Sequence, residues 1–141
     1  MKQKEVIAKL KKFLEEFEEV KLAYLFGSLA MGKTGKLSDI DIAVLLDDEL
    51  TPKQRLEIEM ELISRISKLL KTEKIDLVVM NEAPLLLKYN IIKSGIVLKS
   101  ADEALRIRKE AEIISRYLDR KHSEERRAKE TIRRIARQGL Q

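Results

Sequence analysis

Apolar residues recur along this chain with two spacings, one typical of helices and one typical of strands. Val6, Leu10, Phe13 and Phe17 lie three or four residues apart, which predicts an amphipathic helix over residues 4–18. Short apolar runs of strand length follow, separated by longer helical patterns. The predicted strands cover residues 21–26, 39–46, 74–80 and 95–99, and the later helices cover residues 51–70, 84–93 and a long segment from 101 onward.

Two polar tetrapeptides have the composition of helix starts. Thr51-Pro52-Lys53-Gln54 combines a capping threonine, a proline at the first helical position and a glutamine at N3, and Ser100-Ala101-Asp102-Glu103 has the form of a second capping box. We expect the first of these helices to bury Leu56, Met60, Leu62, Ile63, Ile66 and Leu69. The order of elements predicts an α/β (α+β) domain, with a small mixed sheet, helices on one face and a long C-terminal helix.

Composition and charge narrow the class of protein. The chain of 141 residues has no cysteine, which excludes disulfides and thiolate zinc sites, and no apolar run approaches a membrane span. With no signal-peptide core at its start, we expect a cytoplasmic location and no membrane partner. The net charge is +5, and residues 116–141 alone carry nine basic and four acidic groups. We therefore expect a core over 1–100 and a helical extension over 101–141 that is basic from residue 116.

The candidate chemistry lies at the ends of the first two predicted strands. Gly27-Ser28 follows the first strand, and Asp39-Ile40-Asp41 opens the second. Residues two apart on a strand point to one face, so the two carboxylates would repel each other unless a divalent cation lay between them. Magnesium fits such a site because it takes oxygen ligands and shares them with substrate phosphates. Gly27 lets a ligand approach the backbone, and Ser28 offers a hydroxyl and an N–H.

Gly27-Ser28, ten intervening residues and Asp39-x-Asp41 on a strand resemble the signature of the DNA polymerase β-type nucleotidyltransferase superfamily. The small size resembles its minimal nucleotidyltransferase (MNT) branch, and the likeness covers roughly residues 5–100. The family has a third carboxylate on a later strand, and Asp76 occupies that place. The resemblance implies a polymerase β-like nucleotidyltransferase fold.

The resemblance also implies a reaction. Asp39, Asp41 and Asp76 would be catalytic and would bind two Mg²⁺ ions. Asp76 would either complete the metal that activates the acceptor hydroxyl or act as the base toward that hydroxyl. Gly27 and Ser28 would hold the phosphates of ATP, aided by Lys33 and Lys36. The chain departs from the common family pattern at two positions. Apolar Leu29 and Met31 stand where many relatives carry an arginine or another polar group.

Relatives of this kind are often antitoxins that transfer AMP from ATP to a tyrosine of a partner HEPN-domain RNase toxin. The resemblance therefore implies a protein adenylyltransferase with a HEPN partner. Two alternatives stay open: an antitoxin with a weak site that neutralises by binding alone, and a nucleotidyltransferase acting on a small molecule. In the last helix, we expect Ile107, Ala111, Ile114 and Leu118 to pack on the domain. The basic end beyond them fits an acidic partner better than a nucleic acid, because aromatic residues are scarce.

Overall fold

A computed structural model of the protein describes residues 2–32 and 39–139. The predicted mixed α/β class is confirmed, and most predicted elements are present with ends shifted by a few residues. In chain order the elements are α1 (Gln3–Leu14), β1 (Val20–Phe26), the short α2 (Gly27–Ala30), β2 (Ile40–Leu46), α3 (Pro52–Leu70), β3 (Ile75–Val79), a 3₁₀ turn (Met80–Glu82), α4 (Leu85–Ser94), β4 (Ile96–Ser100) and α5 (Glu103–Gly139). No helix in these two ranges is long and apolar enough to cross a membrane.

The four strands form one mixed sheet in the order β3-β2-β1-β4. Strand β1 runs antiparallel to both β2 and β4, whereas β2 and β3 are parallel. The end of β1 therefore lies beside the starts of β2 and β3, at one edge of the sheet. This arrangement brings the predicted site residues to the same place.

Helices α1 and α3 cover one face of the sheet, as expected. The large core on that face includes Leu10 and Leu14 of α1, Ile42 and Val44 of β2, and Ile66 of α3, all fully buried. The prediction placed helices on this face alone. Helix α4 and part of α5 also cover the opposite face, because Ile91 and Ile113 pack with apolar side chains from β1 and β2, including Leu22, Tyr24 and Ala43.

Helix starts were predicted with mixed success. The capping box at Thr51 is present: the Thr51 hydroxyl accepts from the Gln54 N–H at 3.1 Å, and the Gln54 side chain accepts from the Thr51 N–H at 2.9 Å. At the second start the prediction was wrong about the residues involved. Helix α5 begins at Glu103, and the Asp102 carboxylate accepts from the Ala104 N–H at 2.9 Å, so Asp102 caps the helix instead of Ser100.

The expected burial on α3 was partly wrong. Leu62 and Ile66 are buried, but Leu56 and Met60 are exposed. Leu62, Ile66 and Leu70 recur every four residues along the face of α3 that packs on the core. Leu56 and Met60 lie on another side of the helix, because a residue two positions away is rotated by about 200°.

The expected packing of α5 was also wrong. Ile107, Ala111, Ile114 and Leu118 are all exposed, and Ile113 is the buried residue of this helix. The side of α5 that faces the domain carries Ile113, which packs in the buried cluster, and Glu110, which accepts from the Tyr24 hydroxyl of β1 at 2.8 Å. The rings of Tyr89 in α4 and Tyr117 in α5 stack with centroids 3.7 Å apart. The division into a core over 1–100 and an extension over 101–141 stays a prediction.

Candidate active site

One row of residues across three strands forms the candidate site. In the sheet, Phe26 at the end of β1 pairs with Asp41 near the start of β2, and Asp41 pairs with Asp76 near the start of β3. Asp39 lies immediately before β2 and is exposed. The structure therefore brings together the three carboxylates that the sequence singled out, although β2 begins one residue later than predicted.

Electrostatic repulsion is concentrated on Asp41. Its carboxyl group lies within hydrogen-bonding distance of the Asp76 carboxyl group. Burial raises the pKa of Asp41 above its usual value, and the charges of Asp76 and Asp39 raise it further. Like charges held this closely favour either a proton or a cation between them.

Gly27 lies directly against this carboxylate. Its φ of +74° belongs to the left-handed region, which side chains other than glycine rarely adopt. A β-carbon at this position would overlap Oδ2 of Asp41. Ser28 follows as the second residue of α2 and is half-buried. The glycine is thus required by both backbone conformation and close approach, and the turn is held beside the carboxylates.

The donor set fits magnesium. Carboxylate oxygens are its preferred protein ligands, and magnesium is usually held by one or two of them, with waters and substrate phosphates completing the shell. Within residues 2–32 and 39–139, no three histidine, aspartate or glutamate side chains converge closely enough to enclose a metal ion by themselves. An ion at Asp41 and Asp76 would accordingly share its coordination with a bound substrate.

The two apolar departures from the family pattern have different environments. Leu29 is buried and packs into the core beneath α2. Met31 is 63% exposed. Leu29 thus anchors the short helix that carries Ser28, whereas Met31 contributes an apolar surface next to the site. Lys33 and Lys36, the other predicted phosphate contacts, lie outside the described residues.

Gln3 is a residue that the sequence did not single out. Its side-chain amide donates to the backbone carbonyls of Leu29 at 3.0 Å and Ala30 at 3.2 Å. These carbonyls end α2, so Gln3 ties the start of the chain to the Gly27-Ser28 turn. No local spacing could have revealed this contact, because it joins residues 26 and 27 positions apart.

A separate cavity of about 210 Å³ lies on the sheet face that carries the carboxylates, but at the other end of the strands. Leu22, Leu45 and Met80 line it, together with Lys88 of α4 and Lys109 of α5. None of the three carboxylates contributes to this cavity.

The chain is similar to known proteins in both sequence and fold. Residues 8–104 match the family described as Polymerase beta, Nucleotidyltransferase. The protein named "Putative protein adenylyltransferase MJ1379", from Methanocaldococcus jannaschii, is 40% identical over 75 residues, which are 53% of this chain and 72% of that protein.

Two solved structures extend the likeness to most of the chain. A toxin–antitoxin crystal structure with AMP-PNP superimposes with a TM-score of 0.68 at 27% identity, covering 89% of this chain and 98% of its own. A structure of a tri-AMPylated Shewanella oneidensis HEPN toxin with its MNT antitoxin gives a TM-score of 0.63 at 25% identity, covering 92% and 98%. The family match spans most of the chain and contains the whole carboxylate row. The chain therefore belongs to the polymerase beta nucleotidyltransferase family and resembles its MNT antitoxins.

Proposed function

We propose that this nucleotidyltransferase moves AMP from ATP to a tyrosine hydroxyl of a partner HEPN RNase toxin and so acts as its antitoxin. The observation that carries the proposal is the row of Asp41 and Asp76 beside Gly27, because it sets paired carboxylates next to a turn suited to phosphates. The adenylyltransferase name of the archaeal relative and the AMPylated toxin bound to the Shewanella MNT antitoxin support the choice of AMP and of a protein acceptor.

In this proposal the residues of the chain have distinct tasks. Gly27 and Ser28 hold the β- and γ-phosphates, helped by Lys33 and Lys36. Asp39 and Asp41 would hold two magnesium ions, and Asp76 would contribute an oxygen ligand to one of them. The chemistry that magnesium supplies when bound is neutralisation of charge on the triphosphate and on the attacking and leaving oxygens.

The transfer itself exchanges one bond to phosphorus for another. The acceptor oxygen bonds to the α-phosphorus, the bond from that phosphorus to the bridging oxygen breaks, and pyrophosphate leaves with the electron pair. Asp76 takes the proton of the acceptor hydroxyl, for which its exposed position at the start of β3 is suitable. The acceptor is presented by the partner protein.

The test is the intact mass of the protein encoded beside this chain's gene, after co-expression with the wild type or with the Asp39→Asn, Asp41→Asn double variant. We expect the partner to gain mass in whole AMP units with the wild type alone. Purified components should reproduce the gain when ATP and Mg²⁺ are added and should fail to do so when EDTA is present.

Two other outcomes would overturn the proposal. The exposed Met31 beside the site favours a second candidate, an antitoxin that acts by binding alone. It predicts a stable complex of unmodified partner with both versions of the chain. Consumption of ATP with a small-molecule acceptor, in the absence of a partner protein, would instead indicate a nucleotidyltransferase that acts on a small molecule.

A further inference from the structure

Helix α5 carries an exposed apolar stripe that the domain does not cover. Large apolar side chains and two alanines recur along it at alternating intervals of three and four residues, interrupted only by Lys121 and Glu125. This spacing is the heptad pattern of helices that pair with another helix. The apolar members of the stripe are Ile107, Ala111, Ile114, Leu118, Ala128, Ile132 and Ile135. Ile132 and Ile135 are 66% and 60% exposed, so nothing in residues 2–32 and 39–139 covers the stripe there.

The distal half of α5 has particular need of a partner. Every residue from Glu124 to Gly139 is exposed. Isolated helices of about 12–15 residues are marginal in water, and most helical stability in proteins comes from packing of an apolar face. The six basic residues of this half avoid the stripe positions and surround the rest of the helix: Arg126, Arg127, Lys129, Arg133, Arg134 and Arg137. The apolar face is thus left clear for contact.

We propose that this stripe packs against the same stripe of a second copy of the chain, in an antiparallel pair of α5 helices centred on Ser123. Positions equally distant from Ser123 then face each other. Ile114 meets Ile132 of the second copy, and Leu118 meets Ala128. Ala111 meets Ile135. The pair extends over residues 107–139, a length of roughly 50 Å.

The two charged stripe positions select this direction and register. Lys121 and Glu125 are equally distant from Ser123, so each faces its opposite charge on the second copy, twice in the pair. A parallel pair would instead put Lys121 against Lys121 and Glu125 against Glu125. Opposed like charges disfavour that arrangement and contribute to partner orientation.

The flanking charges favour the same direction. Residues 126–137 carry six basic groups and one acidic group, and a parallel pair would place two such segments side by side. In the antiparallel pair each of these basic segments lies along residues 109–120 of the other copy, which carry three basic and three acidic groups. Near the two-fold axis, the closest approach of like charges is between the Glu124 residues of the two copies. Each Glu124 is already paired with Arg120 of its own chain at 3.2 Å.

The first test exchanges the charges at the centre. Sedimentation equilibrium of the wild type should give a dimer of the 16.3 kDa chain. Lys121→Glu or Glu125→Lys alone should raise the dissociation constant by on the order of tenfold, because each creates two like-charge contacts. The double variant should restore it. Lys121 and Glu125 are exposed in the single chain, so the fold of each variant should be intact, which circular dichroism checks.

A matched control separates pairing from effects within the helix. Arg116 pairs with Glu112 at 2.9 Å in the same i,i+4 relation but lies away from the stripe. Arg116→Glu should leave the dissociation constant unchanged. Loss of dimer in this variant, or no rescue by the double exchange, would contradict the proposed register.

The second test uses the absence of native cysteine. Ile114→Cys and Ile132→Cys, oxidised separately, should each stay unlinked, and a mixture should give a disulfide-linked dimer. Linkage of Ile114→Cys to itself would indicate a parallel pair and overturn the proposal. A wild-type chain that remains monomeric up to millimolar concentration would also overturn it, and binding of RNA or another protein along the stripe would then identify the true occupant.

Discussion

The carboxylate of Asp41 in β2 occupies the space that a β-carbon of residue 27 would need, so Gly27, directly after β1, is in contact with Asp41. Gly27 has a left-handed φ of +74° and is the first residue of α2. Position 27 is therefore where the carboxylate row meets the Gly27-Ser28 turn.

Gly27→Ala should displace Asp41 and weaken binding of Mg-ATP by at least about tenfold, as well as lowering stability by about 1–2 kcal/mol through the strained φ. Calorimetric titration with a non-hydrolysable ATP analogue measures the first effect and thermal unfolding the second. Gly32→Ala is the control, because Gly32 has a similar φ of +78° but nothing within 4 Å of its β-carbon position. It should lose stability alone. Equal binding by the two variants would contradict the role given to the Gly27–Asp41 contact.

Asp41→Asn should stabilise the metal-free protein at pH 7, raising Tm by roughly 1–4 °C, since it removes repulsion that solvent only partly screens. Burial and the neighbouring charges raise the pKa of Asp41, so the wild-type native state binds its proton more tightly than the unfolded state does. Wild-type stability therefore falls as pH rises from about 4 through that raised pKa. The advantage of asparagine should vanish at the acidic end of a pH series measured in EDTA. Stabilisation by added Mg-ATP should be lost in the variant.

Gln3→Glu should weaken ATP binding severalfold and lower stability by about 1–3 kcal/mol. The substitution keeps the shape of the side chain but replaces the donating amide with a carboxylate facing the Leu29 and Ala30 carbonyls. Gln54→Glu is the matched control, because Gln54 accepts its hydrogen bond from Thr51 and a carboxylate accepts equally well. If both variants bind the nucleotide analogue like the wild type, Gln3 does not position the turn.

Tyr24→Phe should cost about 1–2 kcal/mol of stability at neutral pH by removing the hydrogen bond to Glu110. Burial, and then the bond to Glu110 and its charge, raise the pKa of Tyr24 above its ordinary value. The native state thus keeps the phenolic proton after the unfolded chain has lost it. The extra stability of the wild type over the Tyr24→Phe variant should be complete below a pH of about 10 and should decline as the pH rises further. Tyr89→Phe, which keeps its stacked ring, should show little change, and denaturant unfolding between neutral and alkaline pH compares the three proteins.

Local sequence signals and the family resemblance were sufficient to single out the three carboxylates that the fold brings together. Asp39 and Asp41 were identifiable because residues two apart on a strand share a face, and Asp76 because the resemblance places a third carboxylate on a later strand. Gly27 was singled out because a glycine lets a ligand approach the backbone. The capping box at Thr51 was predictable because all of its partners lie within four residues.

Contacts between distant residues were not predictable. Helical spacing shows which residues of α5 share a side, but it does not show which side the domain covers, and so Ile114 was expected to be buried where Ile113 is. The side that is covered packs Ile113 against the sheet and brings Glu110 to Tyr24, 86 positions away. Burial of Leu29, which explains a departure from the family pattern, depends equally on the core formed by α1 and the sheet.

Strand β1 holds α5 through Tyr24 and ends two residues later at Phe26, directly before Gly27. It is hydrogen-bonded on both sides, to β2 and to β4, so it has little freedom to bend between these points. A displacement of α5 at Tyr24 should consequently move the Gly27-Ser28 turn as well. We expect the long helix and the candidate site to be mechanically coupled through this one strand.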